Sequence, residues 1–373
     1  TVTASRVTIR GAVLEDCGRS EPFQKSRPIV IDDLELDPPG DGELLVQIEV
    51  AGICHSDLSV VNGSRLRPTP MLLGHEASGV VVEVGEGVTK VGPGDRVVLT
   101  FLPRCGECRP CRSGITAPCV VGSAANNAGT LLSGDRRLSR GGHRVHHHLG
   151  VSAFATQAVV SERSVVRVDK DVPPDVAALL GCAVLTGGGA VKNAGMFHPD
   201  QNLVIVGLGG VGMAALLVGV AMGGSSIAVV DSRADKLDRA LDLGAAQGFL
   251  PHEIPEGFRA DLVIEAAGNV AAFESAYSMT APGGKLVTVG LPDPTARISL
   301  SPLELVAQGK SVIGSYLGSS NPELDIPFYV DLWKKGRLPL ERLVSAEISL
   351  EDINAAMDDL HRGEAIRQII RFS

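Results

Sequence analysis

The sequence predicts an α/β protein of two domains, a mostly antiparallel β domain followed by a doubly wound parallel sheet. Three observations carry this. Length is the first: 373 residues exceed one ordinary hydrophobic core. The second is a series of short β-branched runs, punctuated by Gly and Pro, from residue 7 to about 170. The third is a change after about residue 184, where apolar runs begin to alternate with helix-like segments. With 44 glycines and 3% aromatics, the chain has many tight turns and a core of Val, Leu, Ile and Ala.

In chain order, the β runs are "IVIDDLEL", "ELLVQIEV", "SGVVVEVG", "DRVVLTF", "QAVV" and "SVVRV". Their length and turn signals read as antiparallel strands. The polar, glycine-rich stretch 120–150 reads as a long surface loop. Farther on, "LVIV" (203–206), "SIAVV" (226–230), "DLVIEA" (261–266), "KLVTVG" (285–290) and "SVIGS" (311–315) alternate with segments such as "GMAALLVGVAMG". That pattern builds βαβ units and a parallel sheet. The last 45 or so residues carry amphipathic helix patterns at 324–335 and 350–361, then a strand-like "AIRQIIRF".

Several function classes are disfavoured. A net charge of −9 argues against a nucleic-acid or anionic-membrane surface, since both need concentrated Lys and Arg. No run approaches the roughly 18 consecutive apolar residues of a membrane span, and the start "TVTASRVTIRGAV" has no signal-peptide core. A soluble, cytoplasmic protein is expected. Seven cysteines, an odd number, in a reducing compartment suggest metal or thiol chemistry.

"LVIVGLGGVGMAALL" supplies Gly207, Gly209 and Gly212 as G-x-G-x-x-G, with Gly210 as an extra glycine and Val211 beside it. The string follows a buried-type strand, opens an apolar helix and precedes a second strand ending in Asp231, the context of a Rossmann dinucleotide site. The helix start offers free N–H groups to the pyrophosphate. Asp231 would accept the ribose hydroxyls and repel a 2′-phosphate, favouring NAD over NADP. Arg233 softens that discrimination, and Lys236 is either a second ribose contact or a solvated helix lysine.

Cys105, Cys108, Cys111 and Cys119 follow C-x2-C-x2-C-x7-C, a spacing that lets one loop wrap a tetrahedral ion. A structural zinc is the leading reading, and a [4Fe–4S] cluster the lesser one. Four thiolates close the coordination sphere, so a catalytic metal belongs elsewhere. Cys54 in "GICHSDL", His75 in "GHEASG" and Cys182 in "GCAVLTGGGA" are the candidates; each alone is as readily a buried core residue. Cys17 has no assignable role.

Taken together, "GICHSDL", "GHE", the cysteine lobe, "GCAVLTGGGA", "GLGGVG" with Asp231, and "EAIRQIIRF" resemble, in order and over nearly the whole chain, the zinc-dependent medium-chain alcohol dehydrogenase family. The resemblance implies a GroES-like catalytic domain at 1–183, rejoined by 325–373, and a Rossmann NAD-binding domain at 184–324. It implies a catalytic zinc on Cys54, His75 and Cys182, with Glu76 able to approach it, and a structural zinc in the lobe. Asp57 then orients His75, Ser56 takes the substrate proton, and Thr186 packs under the nicotinamide. His55 and Arg367 hold the pyrophosphate, while Phe101 and His148 line the substrate pocket. Such a site acidifies an alcohol and supports hydride transfer to or from NAD. The length of the 120–150 segment resembles the long-loop, class I/III-like branch, which implies a homodimer joined through the Rossmann sheets.

The chain departs from the family pattern in four places. Ser59 stands where many members place a proton-relaying histidine. Ser123 stands where glutathione-dependent formaldehyde dehydrogenases carry an arginine, which argues against that substrate without excluding another thiol adduct. Only "GAAQGFLPHEIPEGFRAD" joins the second Rossmann helix to the next strand, so one peripheral element is expected to be short. His148 and its neighbours in "HRVHHHLG" replace an apolar or aromatic wall, either as a pocket feature or as a solvated loop. Two further readings compete with alcohol dehydrogenase. A polyol dehydrogenase usually has a glutamate as third zinc ligand, which Cys182 opposes. A non-enzymatic zinc and nucleotide sensor would have no need of Ser56.

Overall fold

The computed structural model describes residues 5–114 and 117–372. Two compact units emerge: Thr1–Cys182 together with Val344–Ser373, and Ala183–Leu343. The return to the first unit therefore begins at Val344, later than the expected 325, because helix Pro322–Lys334 belongs to the second unit.

The first unit combines a closed barrel with a seven-stranded sheet. The barrel runs Val7–Leu14, Ile29–Leu36, Leu138–Arg140, His143–His147 and Met71–Leu72. Strand Glu43–Ile53 is central to the sheet, pairing antiparallel with Glu76–Val84, Gln157–Ser161 and Gln368–Arg371. With partners on both edges it is buried along nearly its whole length, which is why "ELLVQIEV" reads as an almost unbroken apolar run. Its core includes Leu44, Ile48, Leu99 and Phe154, and Ile353, Met357 and Leu360 of helix Ile353–His361. Each such side chain contributes about 1.5–3 kcal/mol on burial. The C-terminal return is thus welded into this unit.

The segment 120–150 is not a surface loop. It forms helix Val120–Ala128 and two barrel strands, Leu138–Arg140 and His143–His147, whose Leu138 and Val145 join Leu131 in a second small core. Strands this short bury one or two apolar side chains each, too few to show periodicity through a polar, glycine-rich background.

The second unit is a six-stranded parallel sheet in the order Gln247–Phe249, Ile227–Val230, Leu203–Val206, Ala260–Glu265, Thr280–Thr288, Ser311–Gly314. In chain order this is 3-2-1-4-5-6, the doubly wound arrangement. Leu203–Val206 and Ile227–Val230 are buried at every position, as strands covered on both faces must be. Helix Gly210–Ala221 is apolar all round and almost wholly buried. Between Phe249 and Ala260 only a single 3₁₀ turn, Pro251–Glu253, intervenes, in line with the shortened connection.

One helical stretch, Pro174–Ala194, has the length and hydropathy of a membrane span, although no uninterrupted apolar run announces it. Of its most apolar window, 89% is buried within the protein, as in a core helix.

Candidate functional site

Three side chains far apart in sequence meet in the first unit. Cys54 ends the central strand and precedes the short helix His55–Val61. His75 follows Gly74, whose φ of +96° and contact with the Phe154 backbone admit no side chain. Cys182 lies in a π-helical turn, Leu180–Val184, a local widening often found at functional sites. Cys54 Sγ lies 3.9 Å from Cys182 Sγ, and Cys182 Sγ 3.4 Å from His75 Nε2. In a tetrahedral zinc site with Zn–S bonds of about 2.3 Å and Zn–N bonds of about 2.0 Å, those edges would be about 3.8 and about 3.5 Å. The donor set and its spacing fit zinc. All three side chains are buried.

The surrounding charges act on the three donors in different directions. Cys54 is held well below the usual thiol range by the hydrogen bond from Cys182, against the cost of burial, with help from Arg367 and His75. The same sulfur pair, together with burial, pushes Cys182 up. Burial opposes charge on His75, but Asp57 and Cys54 outweigh it and raise the imidazole to about 10. Asp57 is the organising group. One oxygen faces His75 Nδ1 at 3.0 Å, and the other accepts the Cys54 amide at 3.2 Å. Burial pushes this carboxyl up, yet His75 and His148 hold it at about 2.

Glu76 is wholly buried beside this cluster, in space that only glycine at position 52 leaves open: a Cβ there would lie 2.2 Å from Glu76 Oε1. Arg367 is 3% exposed, donates to Ile53 O at 2.9 Å and approaches Glu76 Oε1 at 3.5 Å. Glu76 and the two cysteines reinforce its charge. Its guanidinium lies beside the cysteine cluster. An isolated arginine in "EAIRQIIRF" carries no signal of such burial.

Phe101 meets His75 edge-on at 5.4 Å, and His148 does so at 5.6 Å. Asn126, on the helix that follows the cysteine lobe, donates to Phe101 O at 2.8 Å and fixes that wall. The three histidines of "HHH" have separate fates. His146 sits between Pro70 O and Arg136, and His147 accepts the Arg137 amide at 3.0 Å. His148 alone reaches the cluster, so it is neither solvated nor exposed. Asp57, His75 and His148 form a second group with metal-ligand spacing, in which His75 is hydrogen-bonded to the carboxylate and His148 Nε2 faces it at 3.2 Å without an aligned hydrogen bond.

Cys105, Cys108, Cys111 and Cys119 converge as a second cluster. Cys108 Sγ lies 3.4 Å from Cys111 Sγ and 3.9 Å from Cys119 Sγ. Amides of Glu107 and Cys108 point at Cys105 Sγ, and those of Cys105 and Gly122 at Cys119 Sγ. N–H groups aimed at sulfur stabilise thiolates. No cysteine is in a disulfide.

In the second unit, Gly207 has a φ of +91°, and a Cβ on Gly212 would sit 1.8 Å from Gly207 O. A Cβ on Gly209 would meet nothing within 4 Å. Packing demands glycine at 207 and 212, whereas the space over Gly209, just before helix Gly210–Ala221, is open. Asp231 ends its strand and accepts the amides of Leu208 at 2.7 Å and Arg233 at 2.9 Å. The Arg233 guanidinium turns to Asp235 at 3.0 Å. Lys236 is 7% exposed, not a solvated lysine, and burial depresses it while Asp231 supports its charge. Thr186 is buried in the turn Leu185–Gly189; His55 and Ser56 open the helix after Cys54. Glu265, unremarked in the sequence, accepts the Ala267 and Gly268 amides and the Thr288 hydroxyl, and holds the end of its strand.

Residues 40–170 match the family "Alcohol dehydrogenase GroES-like domain" and 210–332 match "Zinc-binding dehydrogenase". The NDMA-dependent alcohol dehydrogenase of Amycolatopsis methanolica is 35% identical over 98% of this chain and 99% of its own. The S-(hydroxymethyl)glutathione dehydrogenase of an Escherichia coli strain is 34% identical over 94% of this chain and 98% of its own. The crystal structure of benzyl alcohol dehydrogenase from Acinetobacter calcoaceticus superposes with a TM-score of 0.89 at 30% identity, covering 98% of this chain and 100% of that one. With both halves matched and full-length relatives above 30% identity, this chain belongs to the zinc-dependent medium-chain alcohol dehydrogenase family.

Proposed function

We propose that the protein is an NAD-dependent zinc alcohol dehydrogenase interconverting small alcohols with their aldehydes or ketones, with Cys54, His75 and Cys182 as the catalytic zinc ligands. The observation that carries this is the meeting of those three donors at zinc-like spacing, one ligand short of a tetrahedron. Zinc in such a site supplies the Lewis acidity that makes an alcohol hydroxyl acidic near neutral pH, and NAD accepts the hydride. The chain's own residues then have distinct tasks. Asp57 fixes the tautomer and direction of His75, and Arg367 offsets the charge of Glu76 and the thiolates. Ser56 takes the substrate proton, while Ser59, whose hydroxyl donates to Ser56 O at 2.9 Å, braces the helix. The lobe cysteines hold a structural zinc. Asp231 and Lys236 bind the adenosine ribose, and the Gly207–Gly212 turn the pyrophosphate.

A homodimer is part of the proposal. Strand Ser311–Gly314 is one of the two edges of the parallel sheet, with Val312 38% exposed. The preceding helix, Pro302–Ala307, leaves Leu303 and Val306 77% and 80% exposed. An apolar sheet edge of this kind supports pairing with a second copy.

The test is a panel of primary, secondary, aromatic and branched alcohols with NAD and with NADP, read by NADH absorbance, with NDMA as a second arm because the Amycolatopsis relative is named for it. Turnover with NAD supports the reading. Turnover only with NDMA would remove free NAD as co-substrate, and no turnover with any alcohol would overturn it. A benzylic preference would match the Acinetobacter structure; activity confined to a hydroxymethyl thiol adduct would match the Escherichia relative and contradict the inference from Ser123.

A further inference from the structure

Two carboxylates flank the Gly207 turn. Strand Leu203–Val206 pairs in parallel with Ile227–Val230 on one edge and with Ala260–Glu265 on the other. Asp231 follows the first neighbour, and Glu265 ends the second, opposite Val206 in register. The adenosine ribose is the task proposed for Asp231; Glu265 has none so far.

Glu265 is 1% exposed and faces three donors. Its Oε1 accepts the amides of Ala267 at 2.8 Å and Gly268 at 2.6 Å, and its Oε2 accepts the Thr288 hydroxyl at 2.7 Å. The Glu265 backbone oxygen accepts the Val289 amide at 3.0 Å. One residue thus ties the loop leaving its own strand, 266–268, to the loop 289–291 leaving strand Thr280–Thr288. Those loops meet backbone to backbone: a Cβ on Gly290 would lie 2.4 Å from Gly268 Cα, and Gly268 has a φ of +72°. The first loop also presses on the glycine turn, where a Cβ on Gly207 would lie 2.6 Å from Ala267 N. Ala267 is exposed, so the loop presents a face to solvent while the carboxylate that shapes it is hidden beneath.

We propose that Glu265 is a positioning residue for the cofactor, holding the two loops over which its nicotinamide half lies. A doubly wound sheet binds a dinucleotide across the carboxyl ends of its strands, one mononucleotide over each half of the sheet. The half containing Leu203–Val206 and Ile227–Val230 ends in the Gly207 turn and Asp231. The other half ends in the loops that Glu265 joins. Amides at such a place need an acceptor, and a buried carboxylate needs donors, so each fixes the other. Loops fixed beforehand need no ordering when the ligand arrives, which strengthens binding. The proposal rests on the reading that this unit binds NAD.

The experiment compares wild type, Glu265→Met, Glu265→Gln and Thr288→Val as full-length chains. NADH binding is read by fluorescence titration and ADP binding by calorimetry, with no turnover involved. ADP carries the adenosine half alone and reports on the glycine turn and Asp231. Methionine fills the glutamate's volume but leaves the Ala267 and Gly268 amides without their acceptor. Glu265→Met is expected to weaken NADH binding roughly ten- to hundredfold and to leave ADP within about twofold of wild type. Glutamine can turn its oxygen to the amides and its NH2 to Thr288 Oγ1, so Glu265→Gln recovers most of the NADH affinity. Thr288→Val removes one bond of the three and gives a smaller loss in the same direction; it carries the test if Glu265→Met does not fold. A merely structural role would move both ligands together. Equal losses for NADH and ADP, or NADH affinity unchanged in the folded variants, overturn the proposal and leave the NAD reading standing. A wild type that binds neither NADH nor ADP overturns that reading and the proposal with it.

Discussion

Asp57 accepts the Nδ1 of His75 at 3.0 Å with both side chains wholly shielded from water. A charged acceptor in so dry a place is worth more than the same bond in solvent. Asp57→Asn keeps the shape and loses the charge. It is expected to weaken zinc binding at the Cys54 site by roughly 10–100-fold and to lower kcat, while lobe zinc stays bound. Metal analysis after dialysis against a mild chelator, together with kcat at saturating zinc, checks this.

The lobe and the Cys54 cluster are predicted to separate experimentally. Cys111→Ser should lose about one zinc per chain and melt several degrees lower, with kcat retained by the folded fraction. Differential scanning calorimetry with metal analysis reads both quantities. A loss of kcat in protein still folded at the assay temperature would make the lobe part of the reaction centre.

Ser56 and Ser59 differ by one helical turn and are predicted to differ in consequence. Ser56→Ala should lower alcohol oxidation near neutral pH by roughly 10²–10⁴-fold if its hydroxyl takes the proton. Ser59→Ala removes a bond to Ser56 O and should barely change the rate. Parallel pH–rate profiles decide, and a large loss from the Ser59 change contradicts the assignment.

His147 carries an acid-sensitivity prediction. Burial, then the neighbouring Arg137 and His146 charges, lower its pKa from 6.5 to about 3. The fold therefore favours the neutral ring, while the unfolded chain takes up the proton first. The stabilisation is complete above about pH 6.5 and is lost at about 1.4 kcal/mol per unit as the pH falls toward 3. His147→Gln retains an acceptor for the Arg137 amide and lacks this dependence. Urea unfolding at pH 7 and pH 4.5 should show the gap between wild type and variant shifting by about 3 kcal/mol against wild type.

Much of the architecture was legible because its signals are local. "GLGGVG" after a buried strand and Asp231 at the end of the next announce themselves through backbone needs that only certain residues meet, and the four lobe cysteines through spacing. The 120–150 segment reads as a loop in the sequence because its strands bury isolated residues, Leu138 and Val145, that leave no period. Arg367 and His148 were hidden for another reason. Their roles depend on contacts between segments 291 residues apart for Arg367 and Glu76, and 91 for His148 and Asp57, which only the folded chain brings together.

The most direct test of the central claim is zinc content and NADH formation measured together on wild type and Cys182→Ala. Wild type should carry about two zinc ions per chain and reduce NAD with an alcohol. The variant should keep about one, in the lobe, remain folded and form no NADH. A variant that retains both ions and full activity, or a wild type with one ion and undiminished turnover, would contradict a catalytic zinc on Cys54, His75 and Cys182.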